Sequence, residues 1–169
     1  MIRSILKFGE APLQVRAAEV GEVTSDIQKL VDDMIETMYA APGIGLAAPQ
    51  IGVPLRIFVV DLSLGHKPEE LMVFINPEFV ELEGVQLEEE GCLSVPGFNA
   101  TVARPMRAVV RGLDRNGAIR TAEGTELLAR AFQHEMDHLD GKLFLDRVRG
   151  IKRDLIVKKI RKMARAGKW

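Results

Sequence analysis

Thr125-Glu-Leu-Leu-Ala-Arg-Ala-Phe-Gln-His-Glu-Met-Asp-His-Leu139 sets Leu127, Leu128, Ala131, Phe132, Met136 and Leu139 on one helical period, with Gly141 just past the end. Within it, His134-Glu-Met-Asp-His138 is a His-Glu-x-x-His pattern. Residues four apart on a helix share a face, so two imidazoles can grip one metal ion with Glu135 alongside. The chain has three histidines in all, and two of them fall here.

A hydrolytic metal centre needs a third protein ligand and one open position. No Glu follows Glu135 and no His follows His138; beyond His138 only Asp140, Asp146 and Asp154 offer carboxylates. The search therefore turns upstream, to Cys92 in Glu90-Gly-Cys-Leu-Ser-Val-Pro-Gly97. A lone cysteine is often just a small buried hydrophobe, but a thiolate is a strong ligand for soft and borderline metals. His66, in the loop Leu64-Gly-His-Lys-Pro68, is the alternative.

Outward from this centre, Ile27, Leu30, Val31, Met34, Ile35 and Met38 form one face of a helix that Ser25 and Gln28 would start as a capping box, ending near Ala40 before Pro42. Arg56 to Leu62 and Met72 to Ile75 read as strands, as does Met106 to Leu113, with a hairpin turn at Asp114-Arg-Asn-Gly117 leading into Ala118 to Ala122. Ile151, Leu155, Ile156, Ile160 and Met163 predict a third helix with basic residues off the stripe. The expected class is α+β: small antiparallel or mixed sheets around a central metal-binding helix, with an N-terminal and a C-terminal helix.

The chain length, 169 residues, suits one domain with a sizeable core. Residues 1–148 are expected to form it, and 149–169 to be a basic helix that is either part of it or a docking appendage. Net charge is −1 overall, but residues 149–169 carry nine Lys or Arg against Asp154, which leaves −9 for the rest. With 47% hydrophobic and 28% charged residues and no long apolar run, neither disorder nor a membrane span is indicated. The opening residues show no export signal and one cysteine precludes an internal disulfide, so a cytoplasmic location is expected.

Three segments together, Gly43-Ile-Gly-Leu-Ala-Ala-Pro-Gln-Ile-Gly52, Glu90-Gly-Cys-Leu-Ser-Val-Pro96 and Gln133-His-Glu-Met-Asp-His-Leu-Asp-Gly141, resemble the three signature motifs of the peptide deformylases. Ile5-Leu-Lys-Phe-Gly9 and the helix before Gly43 are also similar to that family. The resemblance implies Cys92, His134 and His138 as metal ligands, Glu135 as proton carrier, and the Gln50 side chain and Leu93 backbone N–H as oxyanion donors. It further implies one divalent metal, typically Fe2+, with Zn2+, Ni2+ or Co2+ able to replace it, and nascent formylated polypeptides as substrates. Glu135 would accept a proton from the attacking water and return it to the departing amine.

Ile44, Gly45, Leu127 and Ala131 are the candidates for a methionine pocket, since the last two lie one and two turns before His134. Glu88 and Arg130 are expected to pair at its rim, and Arg104 with Glu90 to brace the cysteine loop. The basic tail is a candidate ribosome contact; a monomer and no membrane partner are expected. Two other readings stand beside this one: a general metallopeptidase, against which the missing downstream ligand argues, and an inactive ribosome-binding module, which would need none of the site residues.

Overall fold

The computed structural model describes all 169 residues. Helix α1 spans Ser25–Ala40, α2 Glu126–Leu139 and α3 Ile151–Arg165. The strands are β1 Gly45–Ala47, β2 Ile57–Val60, β3 Met72–Glu83, β4 Gln86–Cys92, β5 Val95–Arg104, β6 Arg107–Leu113 and β7 Ile119–Thr125. Five of them form one antiparallel sheet in the order β1-β2-β3-β6-β7, and β4 pairs with β5 as a separate hairpin.

Strand periodicity explains how two helices share the larger sheet. Ile57, Val59, Val73 and Ile75 project to one face, where Leu30, Val31, Met34 and Met38 of α1 cover them. Phe58, Val60 and Phe74 project to the other, against Ala129, Ala131, Phe132, Met136 and Leu139 of α2. Phe58 pairs with Phe74 across β2 and β3, and both rings pack on Phe132 at 6.4 and 5.7 Å between centroids. Strand β2 is covered on both faces and consequently reads as an unbroken apolar run. All three Phe side chains are fully buried, so α2 is anchored by its middle turn.

Three expectations are corrected here. The cap of α1 is Thr24, whose side chain accepts from Ile27 N–H at 3.3 Å, while Gln28 reaches away to the Arg115 carbonyl; Ser25 and Gln28 form no capping box. Strand β3 runs through Pro77, where a strand end was expected, because its register with β6 shifts between Ile75 and Glu78 and the missing N–H falls in that bulge. Gly112 sits opposite: a Cβ there would meet the Ile75 carbonyl at 3.0 Å. In α3, Ile156, Val157 and Ile160 are buried while Ile151 and Leu155 are exposed, so the helix docks by a narrower stripe than its apolar pattern implied.

That stripe packs on Val95, Ala100 and Val102 of β5 and on Phe144, Leu145 and Val148. Trp169 closes the end, donating its indole N–H to the Phe8 carbonyl at 2.9 Å and resting against Phe98. No helix is long and apolar enough to cross a membrane.

Candidate active site

Three elements converge on one point. Helix α2 is fixed at its C-terminus by the buried Arg56, which donates to the Leu139 carbonyl at 2.9 Å and to the Asp140 carboxylate at 3.0 Å. The hairpin turn between β4 and β5 brings Cys92 down onto α2, and the 3-10 turn Ala48–Ile51 brings Gln50 to the same place. The chain's first residues tie the two loops together: Leu6 N–H donates to the Gln50 carbonyl at 2.7 Å and Phe8 N–H to the Ser94 carbonyl at 2.8 Å.

The donor atoms of Cys92, His134 and His138 lie within 4.8 Å of one another. His134 Nε2 and His138 Nε2 are 3.2 Å apart, and His138 Nε2 is 3.4 Å from Cys92 Sγ. Metal–ligand bonds of about 2.0–2.3 Å at tetrahedral angles separate ligands by roughly 3.3–3.6 Å, so the observed spacings fit an ion held among these three atoms. His66 lies in the exposed loop and is not among them.

Electrostatics point the same way. Burial works to lower the pKa of His134, but the charge and hydrogen bond of Cys92, the hydrogen bond to Glu90 and the charge of Glu135 outweigh it and raise the value well above that of a free imidazole. Surroundings that hold a proton so firmly favour a cation in its place. His138, buried and facing His134, is pushed well below its usual value and so offers a neutral ring.

Glu135 sits inside this cluster, 98% buried, with Oε1 4.0 Å from His134 Nε2 and Oε2 without any hydrogen-bond partner. Burial, aided by the Glu90 and Asp137 charges and opposed by His134 and Arg104, raises its pKa to about 7. Gly45 makes the room: a Cβ there would stand 3.0 Å from the Glu135 carboxyl carbon.

Gln50 is held with its amide N–H groups toward the cluster. Its Oε1 accepts from Ala47 N–H at 3.0 Å, leaving Nε2 to donate to Ser94 Oγ at 3.1 Å and to Cys92 Sγ at 3.7 Å. The Leu93 backbone N–H, in the hairpin turn, donates to no group of the protein. Nothing in the sequence singles out Ser94, which enters the site as the partner of the Gln50 amide.

Behind the ligands lies a buried ionic network. Glu90 accepts from His134 Nδ1 at 2.6 Å, from Arg104 at 2.9 and 2.5 Å, and from Arg130 at 2.5 Å. Burial works against its charge, but the His134 and Arg104 hydrogen bonds prevail and hold it well below the usual carboxylate range. Arg104 also binds Asp137, which Arg147 grips at 2.6 and 2.7 Å. The expected Arg104–Glu90 brace is present. The expected Glu88–Arg130 pair is not: Glu88 points to solvent on β4, while Arg130 is buried and turns to Glu90, Gln86 and the Val102 carbonyl. A buried guanidinium needs a buried carboxylate, which Glu90 supplies and the exposed Glu88 does not.

A cleft of about 770 Å³ opens from the cluster between the edge strands β1 and β4. Ile44, Gly45, Leu127 and Ala131 line it, together with Ile5 and Leu64, which the sequence did not mark. The cluster thus has three donors on one side and a peptide-sized groove on the other.

The sequence model of polypeptide deformylases matches residues 2–154. The chain belongs to the polypeptide deformylase family. It is 52% identical over 169 residues to a peptide deformylase of Acidobacterium capsulatum, covering 100% of this chain and 99% of that protein. To one of Thermodesulfovibrio yellowstonii it is 51% identical, over 95% and 97% of the two chains. Among solved structures, the peptide deformylase of Legionella pneumophila superposes with a TM-score of 0.92 at 44% identity, over 99% and 98% of the two chains. A Synechococcus elongatus deformylase in complex with actinonin gives 0.89 at 37%, over 93% and 86%. The α+β arrangement is that of the deformylases, and the family's metal dependence fits the three-donor cluster.

Proposed function

We propose that this chain removes the formyl group from N-formylmethionine at the start of newly made polypeptides, releasing formate, in the cytoplasm. The observation that carries the reading is the meeting of Cys92, His134 and His138 with a buried, partly unbonded Glu135 at the head of an open cleft.

Cys92 Sγ and the two Nε2 atoms would hold a divalent ion, most simply Fe2+, with Zn2+, Ni2+ or Co2+ as substitutes. When bound, such an ion polarises the formyl oxygen and acidifies water. Glu135, whose pKa near 7 suits proton exchange at neutral pH, takes the proton of the attacking water and delivers it to the amine that leaves. Negative charge growing on the formyl oxygen meets the Gln50 Nε2 amide and the uncommitted Leu93 N–H, each a donor of a kind worth about 3 kcal/mol in the transition state. The methionine side chain enters between Leu127, Ala131, Ile44 and Gly45, which line the cleft beside Glu135.

The decisive assay is formate release from a formyl-Met peptide by anaerobically purified, metal-loaded protein. Glu135→Gln should lower turnover by about 10²–10⁴-fold while still retaining metal. Absence of formate from the parent protein, or undiminished turnover by the variant, refutes the assignment.

We further propose that α3 meets ribosomal RNA through Lys158, Lys159, Arg161, Lys162 and Arg165, all exposed on the side away from Ile156 and Ile160. Lys158→Glu with Lys162→Glu leaves the packing stripe and Trp169 intact. Co-sedimentation with ribosomes that the double variant does not weaken would refute the contact.

A further inference from the structure

Leu64 adopts φ +55°, a left-handed backbone conformation that is strained for a residue carrying a Cβ. It lines the cleft, is 45% exposed and belongs to none of the buried apolar clusters. The frame holding it is rigid. Asp61, wholly buried at the end of β2, accepts from Ser63 N–H at 2.8 Å, Ser63 Oγ at 2.7 Å, Gly65 N–H at 3.1 Å and the Tyr39 hydroxyl at 2.5 Å. Ser63 Oγ in turn accepts from Lys67 N–H at 3.0 Å. Asp61 N–H donates to the Ile44 carbonyl at 2.8 Å, which fixes the loop to the segment entering β1.

The turn itself would be met at lower cost by Gly or Asn. What leucine adds is an apolar side chain held over the groove, and strain kept by an over-determined frame beside a cleft is the mark of a residue positioned for a ligand. An extended peptide in the groove directs successive side chains to opposite sides. With the methionine side chain taken up at Leu127 and Ala131 on α2, the next side chain turns away from α2, and Leu64, which lines the same cleft, is an apolar group within the groove for it to meet. We propose that Leu64 is a specificity-determining residue: it gives an apolar contact to the residue following formylmethionine and biases the enzyme toward chains with an apolar second residue. This rests on the deformylase reading above.

The test compares kcat/KM for formyl-Met-Leu and formyl-Met-Ser peptides, using metal-loaded protein and the variants Leu64→Asn and Leu64→Met. Leu64→Asn relieves the backbone strain, so it should fold with an unchanged or raised Tm, yet lose about tenfold in kcat/KM for the Leu peptide, mainly through KM, with much less loss for the Ser peptide. Leu64→Met should keep the parental preference. The proposal is overturned if Leu64→Asn retains the parental Leu/Ser ratio, or if it slows both peptides equally, which is what a merely structural role would give. Should the parent protein release formate from neither peptide, it is the deformylase reading that fails.

Discussion

Replacing Glu90 with Gln keeps the shape of the side chain and removes its charge, and the structure lets the cost be reckoned. Glu90 is 94% buried and faces two guanidiniums and the His134 N–H. After the change Arg104 still has Asp137 Oδ2 at 2.8 Å, but Arg130 keeps only the neutral Gln86 Oε1 at 3.2 Å and the Val102 carbonyl at 2.8 Å. Breaking a buried ion pair costs about 3–5 kcal/mol, and the surviving amide oxygen recovers a part, which leaves about 3 kcal/mol. For a chain of this size each kcal/mol moves Tm by about 2–4 °C, so the metal-free variant should melt about 6–12 °C lower. The same change leaves a neutral amide in place of the carboxylate that orients the His134 ring, which should weaken metal binding by about 10–100-fold, read by competition with a chelator. Glu88→Gln, two residues away on the same strand but in solvent, serves as control and should shift stability by no more than about 0.5 kcal/mol. A Glu90→Gln protein that melts within about 2 °C of the parent and holds metal as tightly would show that the network neither stabilises the fold nor orients His134.

Tyr39 is the chain's single tyrosine, so phenolate absorbance reports on it alone. Burial first, then the Asp61 hydrogen bond and charge, raise its pKa from 10.0 to about 12; the folded state therefore holds that proton more tightly than the unfolded state, and the stability this contributes should be complete below pH 10 and be lost as pH rises toward 12. In Asp61→Asn the phenolate should appear at lower pH, and titration of the folded parent near pH 10 would contradict the reasoning. Phe132→Ala, at the meeting point of Phe58 and Phe74, should cost about 3–5 kcal/mol in denaturant unfolding, and a loss under 1 kcal/mol would mean that the sheet–helix seam closes over the gap.

All three helices are legible in the sequence because each repeats its apolar residues near every 3.6 positions, and so is the turn at Asp114–Gly117. The β4–β5 hairpin was not: Gln86-Leu-Glu-Glu-Glu-Gly-Cys92 has no apolar alternation, because the side facing inward carries Gln86 and Glu90, whose burial depends on arginines that arrive from β5 and α2. Likewise the strand that reads as ending at Ile75 continues through Pro77 because the bulge opposite Gly112 accommodates the ring.

The helical spacing of His134, Glu135 and His138 follows from sequence alone, because one element sets it. In the sequence Cys92 is a candidate third ligand only by elimination and resemblance; what brings its sulfur to 3.4 Å from His138 is the packing of the hairpin on α2. The pairing of Arg130 with Glu90 instead of Glu88, the commitment of Gln50 toward Ser94, and the poise of Leu64 over the groove were decided by tertiary structure only. Local periodicity is written along the chain, but which charges can share a dry interior is settled only when distant segments meet.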